Sequence, residues 1–139
     1  MTALRTLSLV LTLAAAPAMA QDAPAPADDP GLDAAGFDAL TRGKTFDTHD
    51  AEVGPYGVET FLPGRRVIWR DSDGCMKGTW RQAGDQICFD YEDRATPVCW
   101  TYHDRGDWIE GFFDGQRQSV PIMLYPGADP VSCEGYVGV

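Results

Sequence analysis

The sequence predicts a mainly β protein: an eight-stranded antiparallel meander closing into a small up-and-down barrel, preceded by one short N-terminal helix. Two observations carry this. From Lys44 onward, short runs rich in Val, Ile, Tyr, Phe and Trp alternate with turn dipeptides at intervals near ten residues, the spacing of hairpins joined by tight turns. Pairing those runs across the turns also keeps apolar residues on one face, as a half-buried sheet requires. Eight such strands with few long connections close into a barrel or fold as a sandwich, and the barrel is the form expected here.

The elements follow in chain order. Arg5, the apolar run Leu7 to Ala16 and the small residues Ala18-Met19-Ala20 have the three parts of a secretory signal peptide, expected over residues 1–20. The apolar run is shorter than the roughly 20 residues that span a bilayer as a helix, so no membrane span is expected. Residues 21–30, QDAPAPADDP, offer nothing to bury and are expected to be a disordered leader. The single barrel domain then occupies 31–139. Asp33 to Arg42 reads as a helix with Leu32, Phe37 and Leu40 on one side and Gly43 as its stop. A helix this short does not hold alone in water, so it must dock its apolar side on something. Strands are expected at about 44–49, 56–62, 66–72, 75–82, 86–92, 97–104, 107–113 and 119–125.

Register tests the meander. Centred on Asp73-Gly74, the third hairpin puts Trp69 opposite Gly78 and Val67 opposite Trp80. Centred on Ala83-Gly84, the next puts Trp80 opposite Ile87, Gly78 opposite Phe89 and Met76 opposite Tyr91. About Asp93-Arg94, Phe89 meets Val98 and Ile87 meets Trp100. The expected core therefore includes Trp69, Trp80, Phe89 and Trp100, joined by Met76, Tyr91 and Tyr102. Trp80 stands at its centre, with Gly78 giving room for its indole and for Trp69. The opposite face collects Arg66, Arg70, Lys77, Thr79, Arg81, Gln86, Asp90, Glu92, Thr101 and His103, as a solvent face should. Strand seven is open: either Ile109, Gly111 and Phe113 or Trp108 and Phe112 point inward. With aromatic side chains this large on strands this short, a packed interior is expected over an open cavity.

The four cysteines, an even count in an exported chain, imply two disulfides. Cys88 and Cys99 fall opposite each other on the outer face. Cys75 falls opposite Glu92, about 13 Å from Cys88 at strand rise, so it pairs with Cys133 and ties down the C-terminal tail.

A formal charge of −10, from 11 Lys and Arg against 21 Asp and Glu, disfavours nucleic acid and anionic membranes as partners. Gly43-Lys44-Thr45 lacks the glycine at position 38 that a phosphate loop needs, since Asp38 stands there. Asp71-Ser72-Asp73-Gly74 looks like half a calcium loop, but Gln82 stands where the closing Glu belongs, so turn chemistry is the better account. His49 and His103, each followed by Asp, could hold a metal only if strands one and six met, which a meander does not arrange. The three serines after the signal lie in no nucleophile motif, and disulfides occupy the thiols. Asp90 and Glu92 face Lys77 and Arg81 as an exposed charge ladder. The chain thus shows no catalytic residues, no metal site and no cofactor.

The stretches Tyr56-Gly57-Val58-Glu59, Phe61-Leu62-Pro63, Arg65-Arg66-Val67-Ile68-Trp69, Gly78-Thr79-Trp80, Ile87-Cys88-Phe89-Asp90-Tyr91-Glu92-Asp93 and Cys99-Trp100 resemble a group of small exported proteins of alphaproteobacteria, over about residues 33–133. No catalytic role attaches to those motifs. The Gly-x-Trp strand followed by a Cys-bearing strand is also similar to calycin-type barrels, which include avidin-like binders and small periplasmic inhibitors of metallopeptidases. The resulting expectation is a monomeric, periplasmic or secreted, non-catalytic binding or interaction module of the bacterial cell envelope, its partner an envelope protein or a small ligand. A peptidase inhibitor inserting residues 21–30 is the alternative, and a metal-dependent enzyme using the two histidines is the third.

Overall fold

The computed structural model describes residues 29–135; the expected signal peptide and residues 21–28 lie outside the described residues. One helix, α1 (Ala34–Thr41), precedes eight strands: β1 (Thr45–Asp50), β2 (Gly54–Leu62), β3 (Arg66–Arg70), β4 (Cys75–Ala83), β5 (Gln86–Tyr91), β6 (Val98–Asp104), β7 (Ile109–Phe113) and β8 (Ile122–Pro126). Each strand pairs antiparallel with its sequence neighbour, and β8 returns to β1, so the sheet is a closed barrel without a free edge. Fold class and element order are those expected from the sequence.

Local chemistry explains α1. Asp33 caps its start, accepting a hydrogen bond from the Gly36 amide at 2.8 Å, and Gly43 leaves it in the left-handed region at φ 74°. The helix lies across the end of the barrel where β1 starts and β2 ends. Phe37 enters that end fully buried, edge-on to Phe61 and Trp80 and stacked on Tyr102 at 4.7 Å. This is the surface on which so short a helix docks. Around it close Phe46, Val67, Ile87, Phe89, Ile109, Ile122 and Leu124.

Two turns correct the expected register. Arg70 pairs with Cys75, so Asp71 to Gly74 form a four-residue loop. The cause is the Asp71 carboxylate, which accepts from the amides of Asp73 and Gly74 and shapes the loop around itself. Ala83 pairs with Gln86, so the next turn is Gly84-Asp85, one residue later than expected, with Gly84 at φ 64° supplying the conformation it requires. Each change slides the pairing by two residues, which preserves the faces: Trp69 meets Met76, Val67 meets Gly78, Trp80 meets Phe89 and Gly78 meets Tyr91. Lys77, not Cys75, lies opposite Glu92. The β5–β6 register is the expected one, with Cys88 opposite Cys99. The disulfides are Cys75–Cys133 and Cys88–Cys99.

Further corrections concern what covers the wall. Thr101 and His103, placed among solvent-facing residues, are buried on the outer face beside Phe112. The segment from Asp29 to Leu32 and the long β7–β8 connection lie over them: Leu32 donates to the Tyr102 carbonyl, and Arg117 reaches His103. Strand seven resolves to Ile109 and Gly111 inward, while Phe113 is exposed at the rim and Phe112 packs outside. β8 starts at Ile122, three residues later than expected, after Pro121, which has no amide hydrogen to offer a ladder. On β1 and β2 the Thr45 and Thr60 hydroxyls meet at 3.0 Å beneath the C-terminal tail, where the Val131 amide donates to Thr60.

Candidate functional site

Period-two alternation sends Phe61 inward at the helix-closed end of the barrel, and therefore sends Glu59, two residues earlier on the same strand, inward nearer the open end. Glu59 is 4% exposed. Around it a cavity of about 70 Å³ is lined from the barrel wall by Thr48, Trp69, Met76, Tyr91, Trp100 and Tyr102, and at its mouth by Tyr56, Asp71 and Arg94. That volume suits a group of a few heavy atoms or a pair of waters. The interior is thus packed where Phe37 plugs it and hollow at the other end, which corrects the expectation of a filled core throughout.

Glycines seat the aromatic walls. A Cβ at Gly57 would collide with the Trp69 indole. A Cβ at Gly78 would lie 2.6 Å from the Asp90 carbonyl and 2.9 Å from the Tyr91 ring, and one at Gly111 would lie 2.8 Å from the Tyr102 ring. Gly78 therefore makes room for Tyr91, not for Trp80 and Trp69 as expected. Trp80 sits at the plugged end, edge-on to Phe37, with the Arg65 guanidinium 4.7 Å above its ring. Of the expected core, Trp69, Trp80 and Phe89 are buried, while Trp100 is half-buried because one side of it faces the cavity.

The polar groups have defined roles. Tyr91 donates its hydroxyl hydrogen to Glu59 Oε1 at 2.7 Å. The Trp69 indole N–H donates to Asp71 Oδ2 at 2.7 Å, fixing the ring at the mouth. Burial pushes the Glu59 carboxyl up to about 8, with the Tyr91 hydrogen bond opposing. Burial first, and then the nearby Glu59 charge, hold the Tyr91 and Tyr102 phenols well above their ordinary value. At neutral pH Glu59 is therefore mainly a protonated acid in a half-aromatic pocket, ready to ionise for a partner that rewards it.

Glu59 was not among the residues singled out from the sequence. The signal was present in its alternation with Phe61, but a carboxylate on a strand is ordinarily assigned to solvent. The residues that were singled out fall elsewhere. His49 lies on β1 edge-on to Tyr125, and His103 lies on β6; the barrel does not bring them together. Among the described residues no three His, Cys, Asp or Glu side chains gather as a metal site. Arg81 and Asp90 form an exposed ion pair at 3.1 Å.

A second polar cluster lies on the outer wall. Asp29 stands 3.3 Å from His103 Nδ1 and 2.7 Å from Arg105 Nη2, while Arg105 gives its hydrogen bonds to Glu110 and holds Asp29 as an ion pair. The Arg105 guanidinium, helped by His103, keeps the Asp29 carboxyl below its ordinary range against the opposing effect of burial. Arg117 donates to the Asp29 carbonyl and lies against both ring nitrogens of His103. Asp29, expected in a free leader over residues 21–30, is thus anchored to the barrel. A broader depression of about 570 Å³ runs on the outside between β3–β5 and the tail residues Ser132 to Glu134, and among the described residues it has no buried unpaired polar group. The interior cavity is the better-built site.

Fold and cavity together define a class: a helix-plugged antiparallel barrel whose open end holds a buried acid among aromatic walls. Comparison with models of protein families, with curated proteins and with solved structures found no match to this chain. No helix among the described residues is long and apolar enough to cross a membrane.

Proposed function

We propose that the protein is an exported, non-catalytic binding module of the bacterial cell envelope, of the kind its resemblance to small exported alphaproteobacterial proteins implies, and that it takes a small ligand into the open end of its barrel. The observation that carries this reading is Glu59: a carboxyl 4% exposed, hydrogen-bonded by one tyrosine, lining a cavity that opens at the end opposite the helix. A buried ionisable group is costly in a domain of this size unless something engages it. The two disulfides fit an oxidising compartment.

Neither other reading gains support. A peptidase inhibitor inserting residues 21–30 loses Asp29 to the clamp with Arg105 and Arg117. A histidine enzyme needs His49 and His103 on adjoining strands, and they stand on β1 and β6.

Tryptophan emission tests the proposal, because Trp69 and Trp100 line the cavity. Titration with a panel of small organic compounds should find ligands that shift the emission of the wild type, and the shift should vanish in Val98→Phe, which places a larger side chain at the cavity wall. A ligand that binds both forms equally would place binding outside the barrel.

A further inference from the structure

We infer that the cavity takes a small alkylammonium ion, with Glu59 as its counter-ion and Trp69, Tyr91, Trp100 and Tyr102 as its walls. This inference rests on the binding reading above and deepens it.

Charge selects the class. Among the described residues Glu59 is the one carboxyl on the cavity floor, its ionisable neighbours there being the Tyr91 and Tyr102 phenols, and the one basic lining residue, Arg94, is exposed at the mouth with Asp71 also there. The whole chain carries −10, which raises the local concentration of cations and repels anions. An anionic ligand would find no counter-charge on the cavity floor and would have to hold Glu59 in its neutral form.

The walls select a cation over a neutral molecule. Four aromatic side chains line a space that fits a few heavy atoms, and aromatic faces attract an ammonium group most strongly where water is excluded. A neutral acceptor would be served by the Thr48 and Tyr102 hydroxyls already at the cavity. The carboxyl is used in full only by a positive charge. Tyr91 engages one oxygen of Glu59 at 2.7 Å; the other is left for the ligand.

The chemistry balances as an exchange. Binding an ammonium ion releases the Glu59 proton to solvent and leaves a carboxylate paired with the cation. With its value at about 8, ionising Glu59 at pH 7 costs about a factor of ten in affinity, which the ion pair and the aromatic walls must offset together with the desolvation of the ammonium group. The groups facing Glu59 are Thr48 from β1, Trp69 and Asp71 from β3 and its turn, Tyr91 from β5 with Arg94 beyond it, and Tyr102 from β6. Both phenols stay protonated across the relevant range, since both are held well above their ordinary value.

The test is calorimetric titration of the wild type and Glu59→Gln with n-propylamine and with 1-propanol, its neutral counterpart, between pH 6 and pH 9. The wild type should bind propylammonium in preference to propanol. Its affinity should rise about tenfold from pH 6 to pH 7 and level above pH 8. Glu59→Gln should lose at least about tenfold toward the amine and keep its affinity for propanol. Titrations in two buffers of different ionisation enthalpy should show close to one proton released per amine bound at pH 7, a readout that needs no variant. If propanol binds the wild type as well as the amine does, or Glu59→Gln keeps the amine, the cation inference falls and the small-ligand reading stands. If neither probe binds the wild type, both fall.

Discussion

Three glycines decide the shape of the cavity wall, because each stands where a side chain would strike an aromatic ring. Gly78 is the most constrained, since its extra methyl would meet the Asp90 backbone carbonyl of the paired strand as well as the Tyr91 ring. A backbone oxygen in a ladder cannot swing aside. Gly78→Ala should therefore cost about 1 to 3 kcal/mol, the range for overpacking a fixed site, and denaturant unfolding followed by tryptophan emission measures it. Gly57→Ala collides chiefly with the Trp69 indole, which can move at its own expense, and comes no nearer than 3.0 Å to a backbone atom, the Arg70 carbonyl. That variant should lose less stability than Gly78→Ala and shift the Trp69 emission. At this scale the sequence was legible in part. Trp69, Trp80, Phe89 and Trp100 were placed on the inner face by alternation alone, but alternation cannot tell a side chain that fills space from one that lines it. Glu59 obeys the same alternation, and only the burial contributed by the neighbouring strands distinguishes it from a surface carboxylate.

Among the elements, α1 determines which end of the barrel is solid. Phe37 is fully buried against rings from β2, β4, β5 and β6, so Phe37→Ala should cost about 3 to 5 kcal/mol, as large aromatics do when a cavity remains, measured by the shift in denaturation midpoint. The helix was legible because its cap, apolar side and glycine stop are all local. Strand order was legible for the same reason, since short turns leave a meander few alternatives. Register was legible only about the β5–β6 turn; elsewhere it depends on the length and exact position of each turn, and Asp71 sets one of these through side-chain hydrogen bonds that a dipeptide pattern does not reveal. The anchoring of Asp29 was equally hidden. Its partners Arg105 and Arg117 lie more than seventy residues away, and a Pro, Ala and Asp composition alone reads as solvated chain. Because the Asp29 carboxyl is mostly buried beside Arg105, Asp29→Asn should lower stability by about 1 kcal/mol, the upper end for a partly exposed ion pair, with the loss seen at pH 7 and absent in an Arg105→Gln background.

Taken as one titrating molecule, the protein sets a buried acid against a large negative charge, and the two act in the same direction. Glu59 has an ordinary value of 4.5 in the unfolded chain and about 8 in the fold. Between those values the folded state holds a proton that the unfolded state has released, so stability falls as pH rises across that window, by on the order of 1.4 kcal/mol per pH unit. Above pH 8 both states are ionised and the slope ends. Asp29 works in the opposite sense and elsewhere: its folded value lies below the ordinary 3.8, so its contribution is complete above that value and is lost as pH falls through the lower one. The disulfide from Cys75 to Cys133 closes a loop with a sequence separation of 58, worth about 4 kcal/mol in the chain-entropy account, and it adds the same amount at each pH. Maximum stability should then lie near pH 4 to 5, with a decline toward pH 8. Net charge adds to the decline only while surface carboxylates are still titrating, mostly below pH 6. Denaturant unfolding of the wild type and Glu59→Gln at pH 5, 6.5 and 8 separates the two contributions: the variant should be nearly flat between pH 6.5 and pH 8, where the wild type loses about 2 kcal/mol. Parallel curves for the two proteins would show that Glu59 keeps its charge in the fold, and that the cavity is wetter than its walls imply.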